Sequence, residues 1–312
     1  MTLSCTCARF SRLILVVLAT QLLFLFAAPL RAQLTTRPLV HNGYSRPYLV
    51  YRPAQTPPHP AMVLMLGGAG STAQLTSEEF QWARQAEQHH FLVVYPEPVA
   101  TNLSKPIDRH TNLTFWDLKG SRTHLVPPGM PPVDDEGYLL AVLRDALHRE
   151  RAARRQVFLA GFSSGSGMVQ LFAAHHPELV DGIVAVATPL MEPPLQLARP
   201  VPILYIHGDD DEQFSGFEVN SPHFATTPHG NWVTWGSLDG CRGQQAARVD
   251  GGIRFSWQQC KGHVPVVALF VAHLGHDWPG SLSSHWNDSI HNAAPLDLTA
   301  TAWEFFASLP GK

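Results

Sequence analysis

A serine between small residues is the first position in the chain that could do chemistry. Gly161-Phe-Ser163-Ser-Gly165 follows the apolar run 156–160 and precedes a stretch, 164–175, with apolar residues at helical spacing. A G-x-S-x-G sequence between a strand and a helix is typical of a nucleophile elbow. We therefore predict that Ser163 is a nucleophile, that the glycines permit the sharp turn, and that the N–H of Ser164 binds a developing oxyanion at the start of the helix. The alternative is a small-residue turn that only packs a helix against a strand.

A serine hydroxyl is a weak nucleophile alone, so this chemistry requires an orienting acid and a histidine later in the chain. Acids occur in Gly208-Asp209-Asp210-Asp211-Glu212, directly after the apolar run 201–207. The carboxyl end of a parallel strand is where open α/β sheets place their sites. The residues alone leave four acids open, each of which could be a solvated loop charge. Among 17 histidines, His276 is preferred because it follows the last predicted strand, in Gly275-His-Asp-Trp-Pro-Gly280.

The elements that must position these residues alternate between strands and helices. We predict strands over 61–66, 91–95, 156–160, 182–187, 201–207 and 264–271, and helices over about 76–90, 134–155, 164–175 and 297–309. Thr76-x-x-Glu79 is interpreted as the capping box of the first helix, and residues 39–51 as a hairpin turned on Asn42-Gly43. The alternation predicts an α/β fold with a mainly parallel central sheet flanked by helices. Segment 96–132 is predicted to border a cleft.

The composition and the first residues bound the class of protein. The 312 residues have a formal net charge of -3 and 15% charged residues, so no basic surface for nucleic acid is expected. Arg9 and Arg12 precede the apolar stretch 13–30, which predicts a signal peptide over 1–32 with cleavage after Ala32. The alternative is an uncleaved membrane anchor. The remainder, 33–312, is predicted to form one catalytic domain of an exported protein, either periplasmic or extracellular.

The predicted export has a consequence for the cysteines. Cys5 and Cys7 lie in the predicted signal peptide, which leaves only Cys241 and Cys260. An even number of cysteines in an oxidising compartment favours a bridge, so we predict a Cys241–Cys260 disulfide. The alternative is a pair of buried free thiols.

The sequence resembles the secreted α/β-hydrolase esterases grouped with polyhydroxybutyrate depolymerases and feruloyl esterases. The matching segments are Gly161-Phe-Ser-Ser-Gly-Ser-Gly-Met168, His207-Gly-Asp-Asp-Asp211, Asp239-Gly-Cys241 with Cys260, and Gly275-His-Asp-Trp-Pro-Gly280. This resemblance implies a single-domain α/β-hydrolase fold with Ser163 as nucleophile, Asp211 as acid and His276 as base. It also implies that the Cys241–Cys260 bridge holds the loop before the histidine strand.

The chain departs from the pattern of these esterases after the first central strand. Where they usually carry Leu-His-Gly, this chain has Met65-Leu66-Gly67-Gly68-Ala69-Gly70, with Leu66 in the place of the histidine. We expect the second oxyanion N–H to come from this turn, with Gly68 as the candidate, because a backbone amide binds the oxyanion and does not require the histidine.

Cofactor and metal sites were weighed against the same residues. Gly68-Ala-Gly70-Ser-Thr-Ala73 fits the dinucleotide pattern G-x-G-x-x-A, with Glu97 as a ribose ligand, but export and the preceding hairpin argue against it. No HExxH or CxxC spacing is present. We therefore expect no metal and no cofactor.

The sequence favours a secreted serine esterase acting on small-molecule or oligomeric esters through an acyl-enzyme. The resemblance implies feruloyl or acetyl esters or short hydroxyalkanoate oligomers. Activity should fall as the pH drops through about 6.5, the ordinary pKa of histidine. Trp116 and Trp278 are candidates for a substrate pocket, with core packing as the alternative. A catalytically impaired binding protein and a secreted serine peptidase are the rival functions, and the oligomeric state is left open.

Overall fold

The computed structural model describes residues 32–100, 113–118, 133–192, 194, 196–214, 227–282 and 296–310. The strands are β1 (Gln33–Arg37), β2 (Val40–His41), β3 (Tyr44–Ser45), β4 (Tyr48–Arg52), β5 (Met62–Leu66), β6 (Leu92–Pro96), β7 (Val99–Ala100), β8 (Thr114–Phe115), β9 (Val157–Phe162), β10 (Gly182–Val186), β11 (Ile203–Gly208), β12 (Gln244–Val249), β13 (Gly252–Trp257) and β14 (Val266–Val271). The helices are α1 (Ala73–Glu79), α2 (Trp82–His89), α3 (Asp135–Arg149), α4 (Ser164–His175), α5 (Pro228–Leu238) and α6 (Leu298–Ser308).

One sheet organises the described residues, with the strand order β1-β4-β6-β5-β9-β10-β11-β14-β13-β12. The six strands from β6 to β14 in this order run parallel, and two antiparallel strands are added at each edge. Every residue of β5, β6, β9, β10 and β11 is buried. Such strands need a helix layer on both faces, which explains their continuous apolar sequences. The predicted α/β fold with a mainly parallel sheet is confirmed.

Helices cover the two faces of this sheet with separate apolar cores. Tyr138 of α3, Phe172 of α4 and Trp232 of α5 pack in one core. Trp82 of α2 and Phe306 of α6 pack in the other. The carboxyl ends of the parallel strands therefore form one exposed edge between two helix layers, where the loops after β5, β9, β11 and β14 meet.

The N-terminal hairpin differs from the prediction. Asn42 and Gly43 have φ of 48° and 81°, as the turn requires, but only β2 and β3 form the arms. Strand β4 pairs instead with β1, with Gln33 opposite Arg52. The predicted pairing of 48–51 across the turn is wrong because Pro47 has no N–H with which to extend the β2–β3 ladder.

The first helix also differs. Thr72 caps it, accepting the N–H of Leu75 at 3.1 Å, while Thr76 is buried inside α1, so the predicted capping box is wrong. The helix expected to continue to residue 90 ends at Glu79, and α2 starts after the break. The break allows both Phe80 and Trp82 to enter the core, whereas residues two apart on a continuous helix do not share a face.

The region between β11 and β14 contains elements that the sequence did not predict. Helix α5 and the hairpin β12–β13 both lie there, and the hairpin extends the sheet at its edge. All six residues of β12 are exposed, so its sequence has no alternating burial to indicate a strand. The Cys241–Cys260 disulfide joins the two ends of this hairpin segment.

The predicted signal peptide lies outside the described residues except for Ala32, as does most of segment 96–132. Among the helices that the structure describes, none has the length and apolar character needed to cross a bilayer.

Candidate active site

Ser163 lies at the junction of β9 and α4 with φ 52° and ψ −123°, a conformation that residues other than glycine rarely adopt. The glycines of the motif have no positive φ; they are needed for space instead. A Cβ on Gly161 would lie 2.3 Å from the Gly165 oxygen, and one on Gly165 would lie 2.2 Å from the Leu66 oxygen. The glycines therefore permit the turn through their missing Cβ atoms and not through a positive φ: the serine takes the strained conformation, and the glycines allow α4 to start against β9 and β5.

The structure brings the three predicted side chains together. His276 Nε2 lies 2.9 Å from Ser163 Oγ, and His276 Nδ1 lies 2.9 Å from Asp211 Oδ2. The Asp211 side chain is fully buried and that of His276 is 10% exposed. A hydroxyl, an imidazole and a carboxylate in this order can move a proton from the serine to the histidine while the acid holds the ring.

Backbone contacts hold the acid and histidine loops together. The N–H groups of Asp209 and Asp210 donate to the carbonyls of Val271 and Leu274, at 3.0 Å each. A Cβ on Gly208 would lie 1.9 Å from the Leu274 oxygen, so only glycine lets the two loops approach this closely. Phe162, next to the serine, places its ring 5.2 Å from the His276 ring.

The other acids of the cluster are directed elsewhere. Asp209 Oδ1 accepts the N–H of His273 at 2.6 Å. The Asp210 side chain is 58% exposed and pairs with the exposed His273 ring at 3.7 Å. Glu212 is exposed. Of the four acids that the residues left open, only Asp211 contacts the His276 ring through its carboxylate among the described contacts.

The pKa of Asp211 reflects opposing effects. Burial alone would raise the pKa of this carboxyl, but the hydrogen bond from His276, the charges of His276 and His207, and the N–H of Gln213 at 2.9 Å together lower the pKa below its usual value. Asp211 therefore stays ionised beside the imidazole. His207 was not singled out from the sequence as a site residue. Its Nε2 lies 3.9 Å from Asp211 Oδ2, and its Nδ1 lies 2.8 Å from the Ala187 oxygen.

The turn over residues 67–71, named the 67–71 turn below, lies against Ser163. A Cβ on Gly68 would be 3.0 Å from the Ser163 Cβ. The N–H groups of Gly70 and Ser71 already donate to the Thr114 and Gly68 oxygens. Among the described contacts, Gly68 and Ala69 have no such hydrogen bond, so two amides of this turn are candidates for an oxyanion; the sequence had suggested only Gly68.

Both tryptophans proposed for a pocket are packed in the core. Trp116 is 0% exposed, and its Nε1 donates to the Gly67 oxygen at 3.1 Å. Trp278 is 1% exposed, and its Nε1 donates to Thr299 Oγ1 at 3.0 Å. With their ring N–H groups already bonded, the positions favour the packing alternative.

The same end of the sheet was considered for cofactors and metals. Glu97, the candidate ribose ligand, accepts the N–H of Ala73 at 2.8 Å, so its carboxylate occupies the start of α1 where a dinucleotide phosphate would bind. In the described ranges, no group of three or more His, Cys, Asp or Glu side chains could hold a metal ion.

Similar proteins were found by sequence and by structure. The chain is 26% identical over 274 residues to "Putative esterase NocK" of Nocardia uniformis subsp. tsuyamanensis, covering 80% of this chain and 75% of that protein. It is 23% identical over 222 residues to the bifunctional acetylxylan esterase/xylanase XynS20E of Neocallimastix patriciarum, covering 64% of this chain but only 29% of that protein. No protein-family model matches.

Among solved structures, an acetyl xylan esterase from Aspergillus awamori aligns with a TM-score of 0.56 and 14% sequence identity, covering 88% of this chain and 99% of that one. At this identity the likeness shows a shared fold. The structural similarity therefore supports the fold that positions Ser163, Asp211 and His276. It does not assign a role to any of the three residues.

Proposed function

We propose that this chain, which has the α/β-hydrolase fold, is a serine esterase in which Ser163, His276 and Asp211 act as nucleophile, base and orienting acid. The observation that carries the proposal is the continuous series of contacts from Ser163 Oγ through the imidazole to the buried Asp211 carboxylate, with 2.9 Å at each step. The esterase names of the relatives support the same class of reaction.

In the first half of the reaction, Ser163 Oγ attacks the ester carbonyl carbon while its proton passes to His276 Nε2. The negative charge that develops on the carbonyl oxygen is held by the N–H of Ser164 and by an N–H of the 67–71 turn, from Gly68 or Ala69. Collapse of the tetrahedral intermediate breaks the bond to the alcohol oxygen, which takes the proton from His276. The acyl group remains on the serine.

In the second half, a water molecule gives a proton to His276 and attacks the acyl carbon. The carboxylic acid leaves, and the proton returns to Ser163 Oγ. Throughout, Asp211 accepts the N–H of Nδ1, which keeps Nε2 directed at the serine. Because the pKa of Asp211 lies below its usual value, the acid holds its charge over the whole working range of a histidine base.

Acetyl esters of xylan are the substrates we favour, because two of the similar proteins are named as acetylxylan esterases. Feruloyl esters come second, because a ferulic acid esterase is among the similar structures, and short hydroxyalkanoate oligomers rest on the resemblance of the sequence motifs alone. We further propose that residues 1–32 direct export and are removed after Ala32, which would make the exported chain begin at β1. N-terminal sequencing of the exported chain should then start at Gln33.

The test uses the full chain and a fluorophosphonate probe, which labels an activated serine. We expect labelling and hydrolysis of p-nitrophenyl acetate by the wild type, and loss of both in Ser163→Ala. Ser77→Ala, which removes a hydroxyl from α1, is the matched control. A wild type that neither labels nor hydrolyses would overturn the proposal and favour a binding protein. Labelling that persists in Ser163→Ala would overturn the assignment of Ser163 as the nucleophile. Faster cleavage of a peptide p-nitroanilide than of the ester would instead favour a peptidase.

Release of acetate from acetylated xylan, of ferulate from methyl ferulate and of monomers from hydroxybutyrate oligomers then ranks the substrates. We expect the highest kcat/KM on the acetyl ester.

A further inference from the structure

The 67–71 turn has almost no side chains of its own with which to hold its shape. Gly67, Gly68, Ala69 and Gly70 offer a single methyl group. An oxyanion site must nevertheless be fixed before the charge develops, because its value comes from donors that do not reorganise. The contacts that fix this turn must therefore come from elsewhere in the chain.

Residues of the segment at β8 supply those contacts. Thr114 accepts the N–H of Gly70 at 2.7 Å through its carbonyl, and donates its hydroxyl to the Ser71 oxygen. Two residues later, the Trp116 ring N–H donates to the Gly67 oxygen at 3.1 Å. Thr114 and Trp116 are both fully buried, so these bonds are protected from competing water. The turn is thus held at both ends by one short segment, strand β8 and the residue after it.

Arg46 in turn holds the segment at β8. Its guanidinium lies 3.7 Å from the centroid of the Tyr138 ring and 5.6 Å from that of Trp116, and pairs with Asp135 at 2.6 Å. The second oxygen of Asp135 accepts the N–H of Asp117, next to Trp116, at 2.7 Å. Arg46 therefore contacts the Trp116 ring directly. Through Asp135, it also fixes the position of Asp117, the residue after Trp116.

The same guanidinium also fixes the other end of the connection. Arg46 donates to the Glu97 carbonyl from two nitrogens, at 3.0 and 2.9 Å. Glu97 accepts the N–H of Ala73, at the start of α1 and directly beyond the 67–71 turn. One buried cation thus reaches the turn from both sides, through Trp116 and through Glu97.

We infer that Arg46 and Trp116 are positioning residues that hold the 67–71 turn in the shape required to bind the oxyanion. The inference rests on the proposed esterase function. The Arg46 and Asp135 side chains are 5% and 1% exposed, and a pair so deeply buried adds little net stability over an apolar pair of equal volume. What such a pair provides here is a fixed geometry, with five donors in a rigid fork reaching two segments at once.

The first test compares two tryptophans whose ring N–H groups each donate to a backbone carbonyl. Trp116→Phe removes the bond to Gly67, and Trp257→Phe removes a 3.0 Å bond to the Trp232 carbonyl near the sheet edge. With p-nitrophenyl acetate, we expect Trp116→Phe to lower kcat about tenfold with KM within about twofold, since part of a donor's contribution is lost. Trp257→Phe should stay within about twofold of wild type in both constants.

The second readout isolates the oxyanion. Phenylboronic acid forms a tetrahedral adduct with an activated serine and serves as a probe of the transition state, so its inhibition constant should rise in Trp116→Phe by the same factor as kcat falls. A structural defect away from the turn would instead lower the concentration of active enzyme and leave the inhibition constant unchanged. Titration of the active serine with the fluorophosphonate probe measures that concentration.

The third test changes the cation. Arg46→Lys keeps the charge beside Asp135 but loses the fork, and we expect a fall in kcat of at least about tenfold. Arg37→Lys, in the partly exposed pair with Glu150, is the matched control and should have no effect on kcat. If Arg46→Lys fails to fold, Trp116→Phe decides the question.

Equal kcat values for Trp116→Phe and Trp257→Phe, a loss confined to KM, or an unchanged boronate constant would each overturn the inference while leaving the esterase proposal intact. A wild type without hydrolysis or labelling would overturn the esterase proposal itself.

Discussion

The two sides of the candidate active site are held by different means. On the acid–histidine side, the loops carrying Asp211 and His276 approach through backbone contacts that tolerate only glycine at position 208. On the opposite side, the 67–71 turn depends on side chains from a remote segment, with Trp116 and Thr114 bonding to it. A local sequence motif can describe the first side, because the close approach of its loops requires only that residue 208 has no Cβ. The second side depends on long-range partners, which no local motif contains.

The two sides also differ in electrostatics. Asp211 lies beside an imidazole, and its pKa is lowered. Glu97 supports the residues after the turn, and burial raises the pKa of its carboxyl to about 7. The N–H of Ala73 and the charge of Arg46 lower this pKa, but by less than burial raises it. The acid–histidine side is thus stable in its charged form, whereas the turn side is more stable when Glu97 is protonated.

The largest effect is expected at the acid. Asp211→Asn should lower kcat for p-nitrophenyl acetate by about 10^4-fold, because the amide no longer selects the tautomer with Nε2 free to take the serine proton. Asp210→Asn, in the adjacent exposed acid, is the control and should retain nearly full activity. Comparable losses in both variants would mean that the loop, and not the carboxylate facing His276, sets the activity.

The next effect tests backbone packing around the serine. Gly165→Ala should lower the free energy of unfolding by more than about 3 kcal/mol, because the new methyl group meets the Leu66 carbonyl at 2.2 Å and backbone cannot easily move away. Gly251→Ala, at a positive φ with open space, should lower it by only about 1 to 2 kcal/mol. Urea denaturation measures both. Equal losses would show that conformational strain, not close approach, governs these glycines.

A smaller effect tests the electrostatic contrast. Because the pKa of Glu97 in the folded state is raised to about 7, the folded chain keeps a proton that the unfolded chain loses at a pKa near 4.3. Between these values stability should fall by about 1.4 kcal/mol for each pH unit gained, and above pH 7 the penalty is constant. Glu97→Gln should remove this contribution and leave that of Asp239, whose pKa burial also raises to about 7, and the exposed Glu78→Gln should remove neither. A wild-type slope unchanged by Glu97→Gln in urea titrations at pH 5, 6, 7 and 8 would contradict the prediction.

The smallest effect tests one bond of the turn. Thr114→Val keeps the branched shape but leaves the Ser71 carbonyl without the hydroxyl donor, so the free energy of unfolding should fall by about 1 to 2 kcal/mol and kcat by a few-fold. Thr56→Val, which removes a 2.7 Å bond to the Pro53 carbonyl, should lower stability by a similar or smaller amount without changing kcat. An unchanged kcat in Thr114→Val would weaken the link between the turn's shape and its chemistry.

Much of the fold could be predicted because its strands are buried on both faces. The apolar runs of β5, β9 and β11 are short and bounded by turns, and the Ser164–His175 helix has the bounds that its sequence indicated. The spatial meeting of Ser163, Asp211 and His276 follows from the same topology, since three parallel strands end at one edge.

The parts that could not be predicted depend on tertiary contacts. Thr76 and Glu79 fit a capping box, but Thr72 caps the helix, which starts at Ala73. Thr76 is a buried residue in the middle of that helix. The exposed hairpin β12–β13 lacks periodicity. The bond from Trp116 to Gly67 joins residues 49 apart in the chain, and a tryptophan in a loop gives no sign of whether it lines a pocket or supports a turn.

The hairpin at the sheet edge has a consequence for handling the protein. Strand β12 exposes all six of its residues, contains no proline and has Arg248 as its one charged residue to oppose pairing with another chain. The disulfide between Cys241 and Cys260 closes the segment that carries it. Reducing agents, or expression in a reducing cytoplasm, would open this segment at its base and loosen the edge strand, which favours intermolecular strand pairing. Aggregation under reducing conditions is therefore the hazard to control during purification, and oxidising buffers are the remedy.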